Sequence, residues 1–382
     1  MRKLVYILFF ISLVFSANGQ AGRQKRHAVS IPRKDVEVTA ADATRAFDAF
    51  NRYFYDAGSG LYHRSTNQKV PGAIWTQAIF LEMVMDAYRR TGDPATRKMI
   101  GDICSGGYQE YAGYDWHNKK VWFIYDDMMW WIGALARASR VTGNKKYLKW
   151  SVAGFKRVWD SAWDKGSGGM FWQFKHDAKN ACINYPTVIA AMRLFGLTGD
   201  STYLQKARSV YGWSREHLFD TVSGRVADHV MADGMVGWED YTYNQGTCIG
   251  AAVMLYKITD SAFYLRDAEL AADYTKNRMC DAGGILPAEG AWNEQGVLKA
   301  IFARYIMLLI KNGHQDRYLP WIQHNIQAAW ANRDTTRELT YRNYKIPCPT
   351  GTLQSYEASS AVEFMQVCPL PDKKINLKIT HP

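Results

Sequence analysis

The chain has 382 residues, of which 47% are hydrophobic, 14% aromatic and 22% charged. That composition provides for a large buried core and excludes a chain that stays disordered. The formal net charge is +11, and several of the positive charges cluster in segments 23–34 and 372–382. Neither segment resembles a nucleic-acid-binding motif, so we interpret both as solvated arms and expect no nucleic-acid partner.

The N-terminal segment, residues 1–19, is typical of a cleavable secretory signal. Arg2 and Lys3 precede an apolar stretch, and small side chains follow that stretch at residues 17–19. The apolar stretch is short for a bilayer span, and no cysteine stands near its end to carry a bacterial lipid anchor. We therefore expect an exported protein, periplasmic or secreted, without a membrane anchor.

One sequence motif recurs along the rest of the chain at intervals of about 50–60 residues. An apolar helix end leads into Thr-Gly-Asp or a similar stop, and a new helix that carries Tyr-Leu follows. Glycine provides the left-handed position after a helix, and the next Asp, Asn or Ser caps the following helix. The copies occupy residues 87–99, 138–150, 194–207, 255–268 and, more loosely, 309–321.

Apolar periodicity between these joints predicts twelve helices. Six hairpins of alternating inner and outer helices make an all-α (α/α)6 barrel, and an open helical solenoid is the alternative. We expect a single domain over 40–370, between a basic arm at 20–39 and a tail at 371–382. The predicted helices are 40–55, 75–90, 95–111, 127–141, 145–160, 184–197, 202–217, 243–257, 261–277, 293–311, 316–332 and 354–366.

Every second predicted helix begins with polar and aromatic residues, which favours closure into a barrel. If the even-numbered helices form the inner ring, these beginnings meet at one rim, and long connections such as 226–240 wall the same mouth. The beginnings are AIWTQAI (73–79), YDDMMWW (125–131), KNACINYPT (179–187), EDYTYNQGT (239–247) and WNEQGVLKA (292–300).

Two adjacent acids, Asp126 and Asp127, stand at the start of the fourth helix. Their alpha carbons are about 3.8 Å apart, which suits the spacing of about 5–5.5 Å between the carboxyls of retaining glycosidases. The helix dipole favours one ionised carboxylate, whereas the neighbouring anion and aromatic surface raise the pKa of the other. One aspartate would attack an anomeric carbon while the other protonates the leaving sugar. The structural alternative is an N-cap and first-turn pair before an ordinary buried face.

Further polar and aromatic residues at the rim are candidate sugar-binding groups, because amides, phenols and indoles suit sugar hydroxyls and ring faces. Each has a structural alternative as a helix cap, a core side chain or a surface charge. The candidates are Trp75, Gln77, Trp130, Lys179, Asn180, Asp240, Tyr243, Asn244, Gln245 and Gln295.

Histidines and cysteines show no metal-binding pattern. The nine histidines form no HExxH motif, and the six cysteines lack zinc-ligand spacing. We therefore assign no metal and no other cofactor. The sequence does not decide the disulfide pairing, because six cysteines allow 15 pairings. Cys182 and Cys248 lie in apolar helical stretches that suit buried thiols.

In order along the predicted helices, YDDMMWW, KNA and YTYNQG resemble glycoside hydrolase family 76, the α-1,6-mannanases with an (α/α)6 fold. The resemblance covers about residues 40–366. It implies endo-hydrolysis of α-1,6-linked mannan with retention at the anomeric centre, with Asp126 as nucleophile and Asp127 as general acid/base. It further implies that Tyr243, Asn244 and Gln245 belong to the family's cleft motif.

Other functions are compatible with the same sequence. Eukaryotic relatives of the fold act as cell-wall transglycosylases, so transfer to another sugar is an alternative to hydrolysis. The basic charge would suit an unsaturated uronyl hydrolase, whereas a sugar epimerase would need cavity histidines. A glycan-binding protein that has lost catalysis is the alternative from another class. If the protein acts on or binds mannan, its expected partner is a poly- or oligosaccharide. We expect the protein to be a monomer.

Overall fold

The structure is a computed structural model that describes residues 37–290 and 292–372. The predicted secretory signal, most of the basic arm and most of the tail lie outside the described residues. Twelve α-helices make up most of the described chain. They are α1 Ala40–Phe54, α2 Ile74–Thr91, α3 Pro94–Glu110, α4 Tyr125–Thr142, α5 Lys145–Ala162, α6 Ala181–Thr198, α7 Ser201–His217, α8 Thr242–Thr259, α9 Ala262–Tyr274, α10 Leu298–Asn312, α11 Leu319–Ala331 and α12 Ser355–Val367.

The repeated joints connect one inner helix to the next outer helix, as the sequence predicts. Helix α2 ends at Gly92 with φ of 68°, and α4 ends at Gly143 with φ of 78°. Both angles lie in the left-handed region that glycine adopts without strain. The side chains of Asp93 and Asn144 then accept backbone N–H groups in the first turns of α3 and α5. The joint between α6 and α7 repeats this arrangement.

The even-numbered helices form a closed ring. Helix α2 packs against α4, α4 against α6, α6 against α8, α8 against α10, α10 against α12, and α12 returns to α2. The odd-numbered helices lie outside, with α3, α5, α7 and α9 on the preceding inner helix and both α1 and α11 on α12. The contact between α12 and α2 closes the ring. The (α/α)6 barrel is therefore confirmed, and the open solenoid is wrong.

Burial explains why the two sets of helices differ in sequence. Helices α6 and α8 are buried almost all round, and their sequences are apolar on every face. Helix α5 buries only one stripe, which includes Phe155 and Val158, and leaves its lysines in solvent. The inner helices thus form the core, and the outer helices shield it from water.

The middle of the ring holds a group of charged side chains, which we call the central ion-pair network. Its cations are Arg137, Arg193 and Arg304, and its acids are Glu82, Asp86 and Glu363. The Arg304 Nε lies 2.9 Å from an Asp86 Oδ2, and its Nη2 lies 2.8 Å from a Glu363 Oε1. Burial would raise the pKa of Glu82, but the three arginines hold it at about 2. The network links α2, α4, α6, α10 and α12 through the core.

One predicted helix start is wrong by more than three residues. The sequence predicts a helix over 293–311, but α10 begins at Leu298, after a 3-10 turn at Gln295–Val297. Asn293 and Glu294 have φ of 51° and 54°, and left-handed residues cannot continue into a right-handed helix. The segment WNEQG therefore lies in the loop before α10.

Two small antiparallel sheets join the loops at the rim. Strands β1 (Tyr55–Asp56) and β2 (Leu61–Tyr62) pair with each other. Strand β3 (Ala178–Asn180) pairs with β4 (His229–Met231), which also pairs with β5 (Val236–Gly237). This second sheet ties the loop before α6 to the loop before α8.

Two further observations concern the membrane and the cysteines. No helix in the described part of the chain combines the length and the apolar character that a membrane span requires. All six cysteines are described, and each is a free thiol in this structure.

Candidate active site

The paired aspartates occupy the first turn of α4. The helix begins at Tyr125, and its N-cap is Ile124, whose side chain accepts no hydrogen bond. Neither Asp126 nor Asp127 is therefore the cap, so the capping alternative does not account for them. The free N–H groups of the first turn place the positive end of the helix dipole beside both carboxyls.

Asp126 is partly buried among hydrogen-bond donors. Its Oδ2 lies 3.4 Å from the Trp172 Nε1, which donates to it. Burial raises the pKa of Asp126 to about 7, against the lowering effect of donors on Cys182, Trp172 and Trp130. Asp126 is therefore a carboxyl that changes its charge near neutral pH.

Asp127 is the more deeply buried member of the pair, with 9% of its surface exposed. Burial raises its pKa well above the usual range, and the negative charges of Asp126 and Glu294 raise it further. Two acids with pKa values pushed apart in this order can act as an anion and a proton donor at the same pH. The geometry thus supports two different chemical roles for adjacent residues.

This electrostatic asymmetry predicts a stability effect of Asp127→Asn. The folded-state pKa of Asp127 lies above the unfolded value, so the unfolded state binds fewer protons at neutral pH and stability falls as pH rises through that interval. Asparagine does not ionise. We expect the variant to gain about 1–3 kcal/mol in free energy of unfolding at pH 7 and nothing near pH 3. Urea unfolding at both pH values measures this, and an equal gain at both would contradict the assignment.

A third carboxylate, Asp228, approaches the pair from the segment before β4. Its Oδ1 accepts a hydrogen bond of 2.9 Å from the Asn244 Nδ2, and its Oδ2 lies 3.0 Å from the His229 Nδ1. The charge of Asp228 also contributes to the raised pKa of Asp126. Asn244, a predicted site residue on α8, is thus placed at the site through Asp228.

Tyr243 is connected to Asp126 through a buried thiol. Tyr243 and Cys182 are hydrogen-bonded to each other, and Cys182 is in turn hydrogen-bonded to Asp126. Burial raises the pKa of Tyr243 well above its usual range, so the phenol stays neutral. The neutral Tyr243 thus neighbours Cys182, which in turn neighbours Asp126.

Two predicted aromatic residues lie beside the pair. The rings of Trp75 and Trp130 have centroids 6.4 Å apart and are tilted by 39°. The Trp75 Nε1 donates a hydrogen bond of 3.3 Å to the Glu294 Oε2. Gln295 follows in the same loop, and its Oε1 accepts the Gly290 N–H at 2.9 Å, which folds the loop. Trp75, Trp130 and Glu294 thus form an aromatic and acidic wall next to Asp127.

Three predicted site residues have structural partners instead. Both amide atoms of Gln77 bond the Tyr62 backbone at 2.8 Å, in the core. The Lys179 Nζ lies 2.7 Å from an Asp164 Oδ2 and also donates to a carbonyl of the same loop. Asp240 accepts hydrogen bonds from Arg225 and Tyr274. The structure does not bring these three side chains to the pair.

Two predicted residues besides Asn244, whose Oδ1 is also unpaired among the described residues, have buried amide atoms without partners. Asn180 lies at the end of β3, directly before α6, and its Oδ1 is buried without a hydrogen-bond partner among the described residues. The carboxamide of Gln245 is buried and has no partner in the described part of the chain. Both amides therefore retain hydrogen-bonding capacity.

The sequence did not single out four groups at the site: Asp228, Glu294, Trp172 and Cys182. Asp228 and Trp172 lie in the long connections expected to wall the mouth, but only the pairing of β3 with β4 places Asp228. Glu294 is the neighbour of the predicted Gln295, and this adjacency was the sequence signal that could have identified it as a site residue. Cys182 was interpreted only as a core thiol.

One group of described side chains has the geometry to hold a metal ion. Ligand atoms of Asp228, His229 and Glu239 lie within 4.8 Å of one another. His229 already pairs with Asp228, and Glu239 is exposed, so hydrogen bonding accounts for much of this arrangement. The assignment of no metal stays a prediction.

Fold and site together define a class of protein. A closed ring of inner helices carries two adjacent carboxyls and tryptophan rings at one rim, which is the arrangement of a carbohydrate-active (α/α)6 barrel. Residues 38–374 match the family model of glycosyl hydrolase family 76. The chain therefore belongs to that family, as its sequence motifs suggested.

Individual relatives are distant in sequence. A Schizosaccharomyces pombe protein is 23% identical over 297 residues, which are 70% of this chain and 66% of that protein, just under two thirds of its length. The mannan endo-1,6-alpha-mannosidase DCW1 of Eremothecium gossypii is 22% identical over 362 residues, or 86% of this chain and 77% of that protein.

A solved structure resembles this chain over most of its length. The α-1,6-mannanase GH76A of Salegentibacter sp. HEL1_6 superposes with a TM-score of 0.79 at 25% identity, covering 86% of this chain and 98% of that chain. A variant of the same mannanase, in which two consecutive aspartates are replaced by asparagine, is inactive and was solved with α-1,6-mannotriose.

Proposed function

We propose that the chain is an endo-acting, retaining glycoside hydrolase that cleaves α-1,6-mannosidic bonds in mannan backbones. The observation that carries this proposal is the pair of adjacent carboxyls, Asp126 and Asp127, with raised and unequal pKa values at the mouth of a family 76 barrel. The names of the Eremothecium and Salegentibacter relatives support α-1,6-linked mannan as the substrate.

The mechanism assigns one role to each aspartate. The Asp126 carboxylate attacks the anomeric carbon, and its C–O bond to the sugar forms as the glycosidic bond breaks. Asp127 gives its proton to the departing oxygen and becomes an anion. It then takes a proton from water, which attacks the anomeric carbon and releases Asp126. Double displacement retains the α configuration.

Three exposed aromatic residues lie at the same rim and suit an extended sugar chain. Phe123 is two residues before α4, Trp238 lies in the loop before α8, and Trp292 lies in the loop before α10. Trp292 is 75% exposed, and an indole held in solvent suits stacking on a sugar ring. An endo-acting enzyme needs such surfaces beyond the bond that it cleaves.

Product analysis on debranched α-1,6-mannan tests the proposal. We expect short mannooligosaccharides, with the α-anomer formed first in proton NMR spectra recorded before mutarotation. Initial β-anomer would exclude retention, and product longer by added mannose units would indicate transglycosylation. If a folded protein binds α-1,6-mannotriose but releases nothing, the glycan-binding alternative replaces hydrolysis. Loss of uronyl absorbance would identify an unsaturated uronyl hydrolase.

The unequal pKa values predict a pH profile for this activity. Asp126 must be ionised to attack, so kcat/KM falls as pH drops below about 7, and the alkaline limb follows deprotonation of Asp127. Because the two carboxyls interact, the pKa values read from both limbs of the profile describe the pair and not one residue each. Trp172→Phe removes a donor to Asp126, so we expect the acid limb to move to higher pH. An acid limb near pH 4, the range of an ordinary aspartate, would contradict the assignment.

We also propose that the protein is exported to the periplasm or the medium. The support is the segment 1–19, with its basic start, apolar stretch and small-residue exit. N-terminal sequencing of the protein recovered from a secreting host tests this, and we expect the mature chain to begin at Gln20.

A further inference from the structure

A large cavity lies at the end of the barrel opposite the paired aspartates. Its volume is about 630 Å³, and its walls are the last turns of α2, α4, α6, α8 and α10 together with the residues that end α12. The inner helices begin at the rim that carries Asp126 and end at this cavity. The cavity is therefore separate from the candidate active site.

Positive charge dominates the lining of this cavity. Eight cationic side chains line it, and Asp86 is the acid among the lining residues. Three of the cations are arginines of the central ion-pair network, whose three acids neutralise at most three positive charges. At least five cations remain: Arg89, Arg90, Arg140, Lys257 and Lys311.

Some of these cations have partners. The Arg90 guanidinium donates to the Gln366 Oε1 at 2.9 Å, and the Lys311 Nζ donates to the Val367 carbonyl at 2.8 Å. In contrast, Arg89, Arg140 and Lys257 form no hydrogen bond or ion pair with the residues that the structure describes. These three cations are available to a ligand.

One of the free guanidinium groups rests against the neighbouring inner helix. A Cβ atom added at Gly196 of α6 would lie 2.8 Å from an Arg140 Nη2, so this guanidinium lies close to the α6 backbone. Burial lowers the pKa of Lys311, and the neighbouring Arg89 lowers it further. Crowded cations raise the energy of the empty cavity, and a bound anion would relieve that repulsion.

Cations in the last turn of a helix have a purely structural explanation, because they stabilise the negative end of the helix dipole. That explanation accounts for Arg89, Arg140 and Lys257 individually. It does not account for a shared cavity, or for the apolar side chains that line it alongside the cations, Met192, Phe195, Met254, Met307 and Leu308. A cavity of this volume lies in the range of about 300–1,000 Å³ that ligand sites occupy.

We propose that this cavity binds an organic phosphate, with the phosphate on Arg89, Arg140 and Lys257 and the organic group on the apolar lining. Guanidinium groups match phosphate oxygens in pairs, and lysine adds a point charge. Inorganic phosphate alone would leave most of the volume and the apolar side chains unused. A phosphorylated sugar has both parts that the cavity accommodates.

Calorimetric titration of the full chain with mannose 6-phosphate, inorganic phosphate and mannose tests the proposal. We expect mannose 6-phosphate to bind more tightly than inorganic phosphate and much more tightly than mannose. The triple variant Arg89→Gln/Arg140→Gln/Lys257→Gln should lose at least tenfold in affinity for mannose 6-phosphate while it keeps its activity on mannan. The affinity should also fall as salt rises.

The control removes three exposed cations elsewhere, in Lys69→Gln/Lys120→Gln/Lys175→Gln, and should keep the parent affinity. Equal losses in both triple variants would reduce the effect to net charge and overturn the proposal. So would the absence of mannose 6-phosphate binding at millimolar concentration, or inorganic phosphate binding equally well. If the first triple variant does not fold, the single variant Lys257→Glu, at an exposed position, should still weaken binding, and unchanged affinity there would refute the site.

Discussion

Replacement of either Asp126 or Asp127 by asparagine is expected to lower kcat on α-1,6-mannan by about 10³-fold or more. Asparagine has nearly the shape of aspartate but cannot attack the anomeric carbon as an anion or deliver a proton. The surrounding donors on Cys182 and Trp172 remain in place in both variants. Reducing-end release from debranched mannan measures the effect.

A substrate with an activated leaving group separates the two roles. The nitrophenolate of a nitrophenyl α-1,6-mannobioside departs without protonation, so Asp127→Asn should regain much of the first step on this substrate and accumulate the glycosyl-enzyme. Asp126→Asn should stay inactive, because it lacks the nucleophile. Burst kinetics and intact-mass spectrometry follow the intermediate. Recovery of Asp126→Asn instead of Asp127→Asn would mean that Asp127 is the nucleophile and Asp126 the acid/base.

A matched control uses the same substitution at an outer helix. Asp160 on α5 is exposed and pairs with Lys156, so Asp160→Asn should keep activity within about twofold, as surface substitutions usually do. Circular dichroism and melting curves confirm that all variants fold. Full activity in both Asp126→Asn and Asp127→Asn would remove the catalytic assignment of the pair.

Local sequence signals were sufficient to predict the barrel. The joints at Gly92 and Gly143 combine a left-handed helix end with a capping side chain one residue later, and each requirement involves only neighbouring residues. Apolar periodicity then located the helices, and their polar and aromatic beginnings indicated which of them form the inner ring. The same reasoning failed before α10, where Asn293 and Glu294 adopt positive φ, because neither residue signals a left-handed conformation as glycine does.

The sequence could group candidate site residues only where position along one helix decides contact. Asp126, Asp127 and Trp130 belong to the first turns of α4, so a helix start was enough to place them together. Asp228 and Glu294 reach the pair from loops that are distant in sequence, and the pairing of β3 with β4 is what fixes Asp228. Lys179 was expected to bind sugar but pairs with Asp164. Asp164 lies in a neighbouring loop, whose position no sequence periodicity predicts.

Replacement of Arg304 by methionine is expected to lower the free energy of unfolding by about 3–5 kcal/mol. Arg304 is the cation that contacts both Asp86 and Glu363 inside the ring. Methionine fills much of the volume but leaves those carboxyls without this partner in the dry core, where an unpaired charge is costly. Urea unfolding at pH 7 measures the loss, and the exposed Arg208→Met serves as the matched control, with a change below about 0.5 kcal/mol.

A combined variant distinguishes lost charge pairing from lost packing. If unpaired carboxyls cause the destabilisation, Asp86→Asn and Glu363→Gln should each recover part of it when added to Arg304→Met, because the interactions of groups in contact are not additive. The parent should also lose stability in acid, since the network depresses the pKa of Glu82 to about 2 and also lowers that of Asp86. These two contributions are present in full above the unfolded pKa values near 4 and are lost progressively as pH falls, that of Glu82 mostly by about pH 2 and that of Asp86 at still lower pH. A loss below about 1 kcal/mol in Arg304→Met would mean that packing of the inner helices, and not the central ion-pair network, holds the ring closed around the site.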